Sequence, residues 1–361
     1  MTKPEIESLT GLRFIASMWV LLYHIGEVLL KNLFPDFWKT YYKVLFHGGA
    51  MGVDLFFVLS GFVIAYNYFD RFASTEKSNY FDFLFKRFAR IYPVHLATLL
   101  FLIPLGMIMV GDALFFGTLL NLFKNLFLLQ AIVPPAAWNI VSWSISCEWL
   151  AYSCFPILVM LFGKLNTRRQ MLMALAVLYI VSLAMFTGFA INNFPFTHPV
   201  YWLLRIACEF TAGVLLFKIW QLRGNNEFSQ WFKILLVPSL TLVILLLSHI
   251  PISFVIIVPF LFLTVYLIAT DQYFLNKFLA RPSITYGGRI SYSLYMVHGM
   301  TILGFHRYLT IGEIAATDTA IKITYILAYL VVTFALTLAC YHWVEEPARK
   351  ALLAFKTKSS V

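Results

Sequence analysis

Three ionisable residues, His24, Asp54 and Glu148, occur within long apolar stretches of the sequence. If those stretches are membrane helices, the ~1.5 Å rise per residue places all three in the outer half of the bilayer. An ionisable side chain at that depth is costly and usually marks a functional group or a buried partner. These three residues are therefore the candidates for catalysis.

Acyl transfer to a hydroxyl group is a reaction that such residues can perform. A weakly acidic alcohol must lose its proton as it attacks a thioester, and a neutral histidine such as His24 is a suitable base. A buried carboxylate, Glu148 or Asp54, can orient the histidine and stabilise its charged form. The spacing does not prove this reaction, because transporters also bury histidines and carboxylates.

Cationic residues stand where the same stretches are expected to meet the cytoplasm. Arg13 lies eleven residues before His24, almost on the same helix face and about 16 Å lower. Lys86, Arg87 and Arg90 immediately precede another apolar stretch. Guanidinium and ammonium groups bind phosphates well, so these four residues would hold the phosphates of an acyl donor.

Polar residues on further apolar stretches would contact the two substrates. Ser144, Glu148 and Tyr152 share one helix face at i, i+4 and i+8, while Arg205 and Glu209 form an i, i+4 pair. We assign acceptor contacts to Trp143, Ser144, Tyr152 and Arg205, and donor contacts to Tyr292 and His298 in addition to the basic residues.

The composition shows what kind of scaffold must position these residues. Of 361 residues, 61% are hydrophobic, 18% are aromatic and only 12% are charged. Soluble domains usually have about a quarter of their residues charged, so lipid must be the solvent for much of this chain. The sequence predicts an all-α, polytopic helical bundle with one membrane domain over residues 1–350 and a short basic cytoplasmic tail over 351–361.

A helix needs about 20 apolar residues to cross the hydrocarbon core. Ten stretches meet this requirement: 12–31, 48–67, 93–111, 140–162, 171–190, 200–220, 231–249, 252–270, 289–308 and 322–343. Residues 114–133 are also long enough, but Asn121, Lys124, Asn125 and Gln130 form a polar stripe along them. That pattern predicts an interfacial helix that does not span the membrane.

The distribution of basic residues gives the orientation. Lysines and arginines cluster in 71–90, 164–169, 218–223, 277–289 and the C-terminal tail. If 114–133 does not span, all these clusters fall on one side together with both termini, which the positive-inside rule makes cytoplasmic. Three lysines in the first outer loop (Lys31, Lys39 and Lys43) do not fit this rule.

The net charge of +10 follows mostly from this topology and favours contact with anionic lipid. A nucleic-acid partner is not expected, because no basic block projects from a soluble domain. The four cysteines all lie in apolar stretches without metal-type spacing, so we predict neither a disulfide nor a metal site.

Six motifs resemble, in order, those of the acyltransferase-3 family. The first is the pair Arg13 and His24, and the second is the stretch Gly52–Phe62. The others are Lys86–Pro93, Trp143-Ser144 with Glu148, Tyr152 and Pro156, Ser291–His298, and Glu346-Pro347. Any one of these motifs is weak, but six in order across residues 8–350 are specific.

The resemblance implies a multi-pass O-acyltransferase of the bacterial inner membrane. Members move acetyl or other acyl groups from cytoplasmic acyl-CoA to hydroxyls, usually of cell-surface carbohydrates or lipid-linked sugars. Some carry an extra esterase-like domain after the bundle, and we expect this chain to work without such a relay. Direct transfer and an acyl-histidine intermediate at His24 both stay open, as does the oligomeric state.

Two other classes of function compete with the enzyme. A secondary transporter would use the same buried charges as a proton or substrate path, but the sequence has no two-fold internal similarity. A membrane haem protein would use histidines as axial ligands, but the estimated depths of His24, His95, His298 and His342 differ.

Overall fold

The computed structural model describes residues 3–43, 47–73, 78–110, 115–133, 137–192, 198–223, 253–270, 274–308 and 311–359, with isolated positions between 233 and 243. All regular secondary structure in these described residues is helical. This confirms the predicted all-α class.

The described residues form eleven longer helices, numbered in chain order. They are α1 Glu7–His24, α2 Gly52–Ala73, α3 Ser78–Val110, α4 Phe115–Leu126, α5 Trp143–Phe162, α6 Arg168–Ile191, α7 Pro199–Gln221, α8 Ser253–Thr270, α9 Pro282–Tyr308, α10 Thr319–Cys340 and α11 Glu346–Ser359. The shorter helical segments are Ile25–Leu30, Lys31–Leu33, Pro35–Phe37, Trp38–Tyr42, His47–Met51, Phe274–Leu279, Ile311–Ala315 and Tyr341–Glu345.

Six helices in the described part of the chain are long and apolar enough to cross a membrane. They are Glu7–Leu33, Gly48–Ala73, Trp143–Phe162, Arg168–Ile191, Pro199–Gln221 and Thr319–Lys356. Six of the ten predicted spans coincide with them. The predicted spans 93–111, 252–270 and 289–308 lie in α3, α8 and α9, which are not among the six. The predicted span 231–249 lies outside the described residues except for isolated positions.

Local sequence signals explain where several helices begin. Thr167 and Gln170 form a capping box at the start of α6, each side chain bonding the backbone of the other. Pro199 occupies the first turn of α7, where its missing N–H is not needed, and the His198 side chain accepts a bond from the Val200 N–H.

Two π-helical segments extend long helices. Ile25–Leu30 follows α1 directly, and Tyr341–Glu345 joins α10 to α11. A π turn bonds residue i to i+5 and is frequent at functional sites. The first segment begins immediately after His24.

The described contacts divide the chain into two compact units. Unit 1 comprises Met1–Tyr23, Thr40–Tyr80 and Ser153–Arg289, and unit 2 comprises His24–Lys39, Phe81–Tyr152 and Ile290–Val361. Helices α2, α6, α7 and α8 therefore belong to unit 1, whereas α4, α10 and α11 belong to unit 2.

Unit 1 is organised around a close contact between α2 and α7. A Cβ atom on Gly61 would clash with the Phe210 carbonyl oxygen, and one on Gly213 would clash with the Val58 carbonyl oxygen. The two backbones therefore touch at these glycines, as is common for membrane helices, where small residues permit close packing.

In unit 2, α9 packs beside α3 and α10. The Tyr292 hydroxyl donates to the Ile91 carbonyl oxygen, which ties α9 to α3. The Thr301 and Thr333 hydroxyls lie 2.8 Å apart and join α9 to α10. Such bonds between membrane helices are each worth about 0.6–2 kcal/mol.

The predicted interfacial segment contains a short helix. The twelve residues of α4 span ~18 Å, which is less than the ~30 Å hydrocarbon core. Buried polar contacts hold the end of this helix and the turns after it. The Asn125 carbonyl oxygen lies 2.8 Å from His95 Nε2, and the Gln130 amide donates to the Ser142 carbonyl oxygen.

Candidate active site

The structure brings two predicted site residues of unit 2, His24 and His298, into direct contact. His298 is fully buried on α9, while His24 is half-buried at the end of α1. The His298 Nε2 lies 3.3 Å from the His24 Nδ1, and the two ring centroids are 5.1 Å apart. The other His298 ring nitrogen, Nδ1, lies 3.1 Å from the Leu294 carbonyl oxygen.

These contacts determine where the protons lie. A carbonyl oxygen only accepts, so His298 Nδ1 carries a proton and donates it to Leu294. In neutral His298 the lone pair is then on Nε2, which accepts from the His24 Nδ1–H. The lone pair of His24 is consequently on its Nε2. The pair therefore favours the neutral His24 tautomer that has its lone pair on Nε2.

Two buried hydroxyl groups lie beside His298. The Ser144 hydroxyl is 2.7 Å from that of Tyr295, and the Tyr295 ring centroid is 5.5 Å from that of His298. Both hydroxyls also lie within hydrogen-bonding distance of the Val141 carbonyl oxygen, at 3.0 and 3.1 Å. The predicted acceptor contact Ser144 is thus linked through Tyr295 to the histidine pair.

The loop before α5 is fixed to α9 next to the same pair. The Asn139 side-chain amide donates to the Met296 carbonyl oxygen at 2.8 Å. A Cβ atom on Gly299 would clash with the Asn139 side-chain oxygen, so the loop approaches α9 closely only because residue 299 is glycine. Asn139 and Gly299 were not predicted as site residues. The available sequence signals were a glycine directly after His298 and a polar residue shortly before Trp143 and Ser144.

The remaining predicted residues of α5 lie on its first turns. Trp143 and Glu148 are half-buried, and Tyr152 is buried. The Tyr152 hydroxyl donates to the Glu148 carboxylate one turn away. The i, i+4 relation expected from the sequence is therefore a real contact.

The predicted donor residue Arg90 forms a buried ion pair. Its guanidinium donates to Glu345, which is 1% exposed, and the Ser293 hydroxyl donates to the second Glu345 oxygen at 2.6 Å. Glu345 was missed because the closing Glu-Pro motif pointed to Glu346, which bonds Lys350 at 2.8 Å instead. Glu345 lies in the second π segment, one residue before that motif.

The other basic residues of α3 lie near its beginning. Lys86 bonds Asp82 at 2.6 Å, and Lys356 of α11 bonds the same carboxylate at 2.9 Å. Partial burial raises the pKa of Asp82, but the hydrogen bonds from Lys86 and Lys356 outweigh it and leave this pKa below its ordinary value. Arg87, the next residue of the same helix, is half-buried.

Unit 1 contains the other predicted site residues, Asp54, Arg205 and Arg13. Asp54 accepts from two nitrogens of Arg205, and both residues are buried. Arg13 lines a cavity of about 200 Å³ together with Lys3 and Asn67. Asp54 and Arg205 are thus brought together, joining α2 to α7.

Comparison with known proteins supports the resemblance, and the matched range includes the first five of the six motifs. A family model described as an acyltransferase domain matches residues 6–342. The Streptomyces mycarofaciens protein named "Acyltransferase MdmB" is 29% identical over 96% of this chain and 92% of its own length. "Putative O-acetyltransferase SACOL0978" of Staphylococcus aureus (strain COL) is 24% identical over 96% of this chain. The chain spans 57% of the length of that relative.

One further relative matches only part of the chain, and no solved structure matches the chain. "Nose resistant to fluoxetine protein 6" of Caenorhabditis elegans is 31% identical over 116 residues, which are 27% of this chain and 14% of that protein. From the family model and the relatives together, the chain belongs to the acyltransferase-3 family and is a multi-pass membrane O-acyltransferase that transfers groups other than amino-acyl groups.

Proposed function

We propose that the protein moves an acetyl group from cytoplasmic acyl-CoA to a hydroxyl of a carbohydrate or lipid-linked sugar at the outer side of the bacterial inner membrane. The observation that carries this proposal is the contact between His24 and His298, because it gives His24 the tautomer of a general base. The relative named as an acyltransferase supports acyl transfer, and the one named as a putative O-acetyltransferase supports the acetyl group and the hydroxyl acceptor.

In the proposed reaction His24 accepts one proton from the acceptor and donates it to the leaving group. Its Nε2 takes the proton of the acceptor hydroxyl while that oxygen attacks the thioester carbonyl carbon. The tetrahedral intermediate then collapses, the carbon–sulfur bond breaks, and the CoA thiolate takes the proton back from His24. The products are an ester and CoA thiol, and His24 is regenerated. If His24 Nε2 is acylated first, its lone pair attacks the thioester, the carbon–sulfur bond breaks and CoA thiolate is released. The acceptor hydroxyl then attacks the acyl-histidine, the bond between the acyl carbon and Nε2 breaks, and the hydroxyl proton goes to the CoA thiolate, which gives the same ester and CoA thiol.

His298 is a positioning residue in this scheme. Its Nε2 lone pair accepts from His24 Nδ1, and that bond strengthens when His24 becomes positively charged. This is the role that a carboxylate has in a Ser-His-Asp triad, here performed by a neutral group. The Tyr295 ring packs against His298, and its hydroxyl lies 2.7 Å from that of Ser144, so we assign these two buried residues to the acceptor side of the reaction.

The cavity lined by Arg13 supports the donor part of the proposal. Lys3, Arg13, Tyr66 and Asn67 combine two cations, an aromatic ring and an amide around about 200 Å³, and the lining also includes one carboxylate, Glu5. Complete ligand sites usually enclose about 300–1,000 Å³, so this cavity suits one part of acyl-CoA, such as a phosphate group. We propose that Lys86 and Arg87 add further cationic charge for the donor phosphates.

Helix directions support ten spans with both termini in the cytoplasm. In unit 2, Phe83 contacts Tyr152 and Phe88 contacts Trp149, so α3 and the start of α5 run antiparallel. Because α3 and α5 are antiparallel neighbours, the connection 111–142 between them does not need to cross the membrane. This supports a non-spanning segment at 114–133, independently of charge.

Parallel helices in unit 1 support a span in the undescribed stretch. The Trp220 indole N–H at the end of α7 donates to the Ala269 carbonyl oxygen at the end of α8, so these two helices run in the same direction. Two parallel spans need one crossing between them, and the predicted span 231–249, which lies outside the described residues apart from isolated positions, would supply it. We propose that 231–249 forms that span.

Cysteine labelling tests this topology. Single cysteines at Leu120 and Ile132, which are 57% and 40% exposed, should both react with an impermeant thiol reagent added outside intact cells. A cysteine at the exposed Asn166 should react only after permeabilisation, and the parent protein gives the background. Labelling of Leu120→Cys and Ile132→Cys from opposite sides would contradict the proposed topology.

Turnover of acyl-CoA by the purified protein with envelope glycan as acceptor tests the reaction. His24→Ala should lower turnover by roughly 10²-fold or more, as loss of a general base usually does, with little change in donor binding. His342→Ala removes an exposed histidine and is the matched control. Mass spectrometry of the glycan should show that the acyl group is absent in the His24→Ala reaction and present with the parent protein. Near-normal turnover in His24→Ala would refute the mechanism.

A further inference from the structure

A buried cluster in unit 1 has one more negative than positive charge when all its groups are ionised. Asp54 on α2 and Glu209 on α7 are 0% and 1% exposed, and Arg205 between them is 8% exposed. One guanidinium and two carboxylates leave a net charge of −1. An isolated buried charge is very unfavourable and is normally neutralised or paired. The proposed acyl transfer does not use this cluster.

One of the carboxylates accepts from two nitrogens of the guanidinium. Arg205 donates through Nε and one terminal nitrogen to the two oxygens of Asp54, and that terminal nitrogen also lies 3.3 Å from the Ala50 carbonyl oxygen. The Nε atom is 3.9 Å from Glu209, beyond hydrogen-bonding distance. Arg205 therefore balances Asp54 and leaves Glu209 without a donor.

Both Glu209 oxygens are buried without a hydrogen-bond partner among the described residues. The Glu209 and Asp54 carboxyls both lie within 4.0 Å of the Arg205 Nε atom, so two acceptor groups are close together. Unpaired buried carboxylate oxygens are rare, because each loses its bonds to water without replacement. A proton between the two groups removes the excess charge and gives one of the two Glu209 oxygens a hydrogen-bond partner.

Among the residues that the structure describes on the helices around the cluster, none supplies another cation. Tyr201 and Cys208 on α7 are neutral near pH 7. Residues 170–191 of α6 and 253–270 of α8 contain no charged residue. Helix α1 approaches the start of α2 with Ala16 and Val20, as the contacts of Gly52 show. The charge balance of the cluster therefore depends on its own three members.

We propose that Glu209 is protonated and donates to Asp54, so that Arg205, Asp54 and Glu209 form a neutral group with one proton-binding site inside the membrane. Glu209 is then a reserve counter-ion for Arg205. If Asp54 loses its charge, Glu209 releases its proton to solvent and pairs with the guanidinium only 3.9 Å away. This inference does not depend on the proposed reaction.

Three variants of the full-length protein in detergent test the proposal by thermal unfolding. Glu209→Gln keeps the shape and its amide still donates to Asp54, so the melting temperature should change little. Asp54→Asn should cause a modest decrease, because Glu209 replaces the lost charge. The double variant leaves Arg205 without a counter-ion, so its decrease should exceed the sum of the two single decreases.

Infrared spectroscopy gives a second measurement that does not depend on stability. The carbonyl stretch of a protonated carboxyl group should be present in the parent protein and absent in both Glu209→Gln and Asp54→Asn. Glu346→Gln removes a carboxylate that pairs with Lys350, so this control variant should keep the band. A band that survives Glu209→Gln, or a Glu209→Gln variant as unstable as the double variant, would overturn the proposal.

Discussion

Replacing Arg90 should destabilise the protein strongly, although the sequence placed this residue among the cations expected to hold the donor phosphates. Glu345 is 1% exposed, and its two oxygens receive bonds from Arg90 and Ser293. Arg90→Ala leaves a buried carboxylate with one neutral partner. Breaking a buried ion pair in this way costs about 3–5 kcal/mol of unfolding free energy.

Lys86 provides the matched comparison one turn earlier on the same helix. Its pair with Asp82 has side chains 35% and 36% exposed, and Asp82 keeps Lys356 when Lys86 is removed. Exposed pairs contribute about 0.2–1 kcal/mol, so Lys86→Ala should cost several times less than Arg90→Ala.

Denaturant unfolding of the purified variants in mixed micelles measures both free energies. Adding Glu345→Gln to Arg90→Ala should recover most of the loss, because no unpaired charge is left. If Arg90→Ala cost no more than Lys86→Ala, or if Glu345→Gln gave no recovery, the buried ion pair would not be the source of this stability. Donor-binding experiments should accordingly replace Lys86 and Arg87 and leave Arg90 in place.

Two further outcomes are expected. Gly213→Ala should destabilise the α2–α7 contact by forcing its Cβ against the Val58 carbonyl oxygen, whereas Gly188→Ala, which meets nothing within 4 Å, should be neutral or stabilising in thermal unfolding. Asp82→Asn should lower stability slightly at pH 7. Because the pKa of Asp82 is lowered by folding, the difference should vanish as the pH falls through that lowered pKa, and a constant difference would refute it.

The helices themselves were largely predictable from composition. A chain in lipid must satisfy its backbone hydrogen bonds within each segment, so long apolar stretches become helices almost regardless of their detailed sequence. Six predicted spans accordingly coincide with apolar helices of spanning length. The segment 114–133 was predicted to be interfacial because a polar stripe distinguishes it from the predicted spans. The short helix Phe115–Leu126 lies within this segment.

Contacts between distant residues were not predictable. His24 and His298 were each singled out by type and depth, but they were assigned to different roles, and 274 positions separate the two partners. The role of Glu345 depends on a π segment, which has no simple sequence signal, and the neighbouring motif pointed to Glu346. Local periodicity places residues on a helix face; it does not specify which faces meet.

The π segment after His24 also affects how relatives of this chain should be aligned. A turn that bonds i to i+5 contains one residue more than a regular turn of similar length. A relative without that residue can keep both flanking helices in place, with a regular α-helix between them. A one-residue gap within Ile25–Leu30 is therefore structurally harmless, and it need not displace the histidine that precedes it or the polar residues after it. When functional residues are transferred from a relative to this chain, the residues after Leu30 should therefore be aligned independently of those before Ile25.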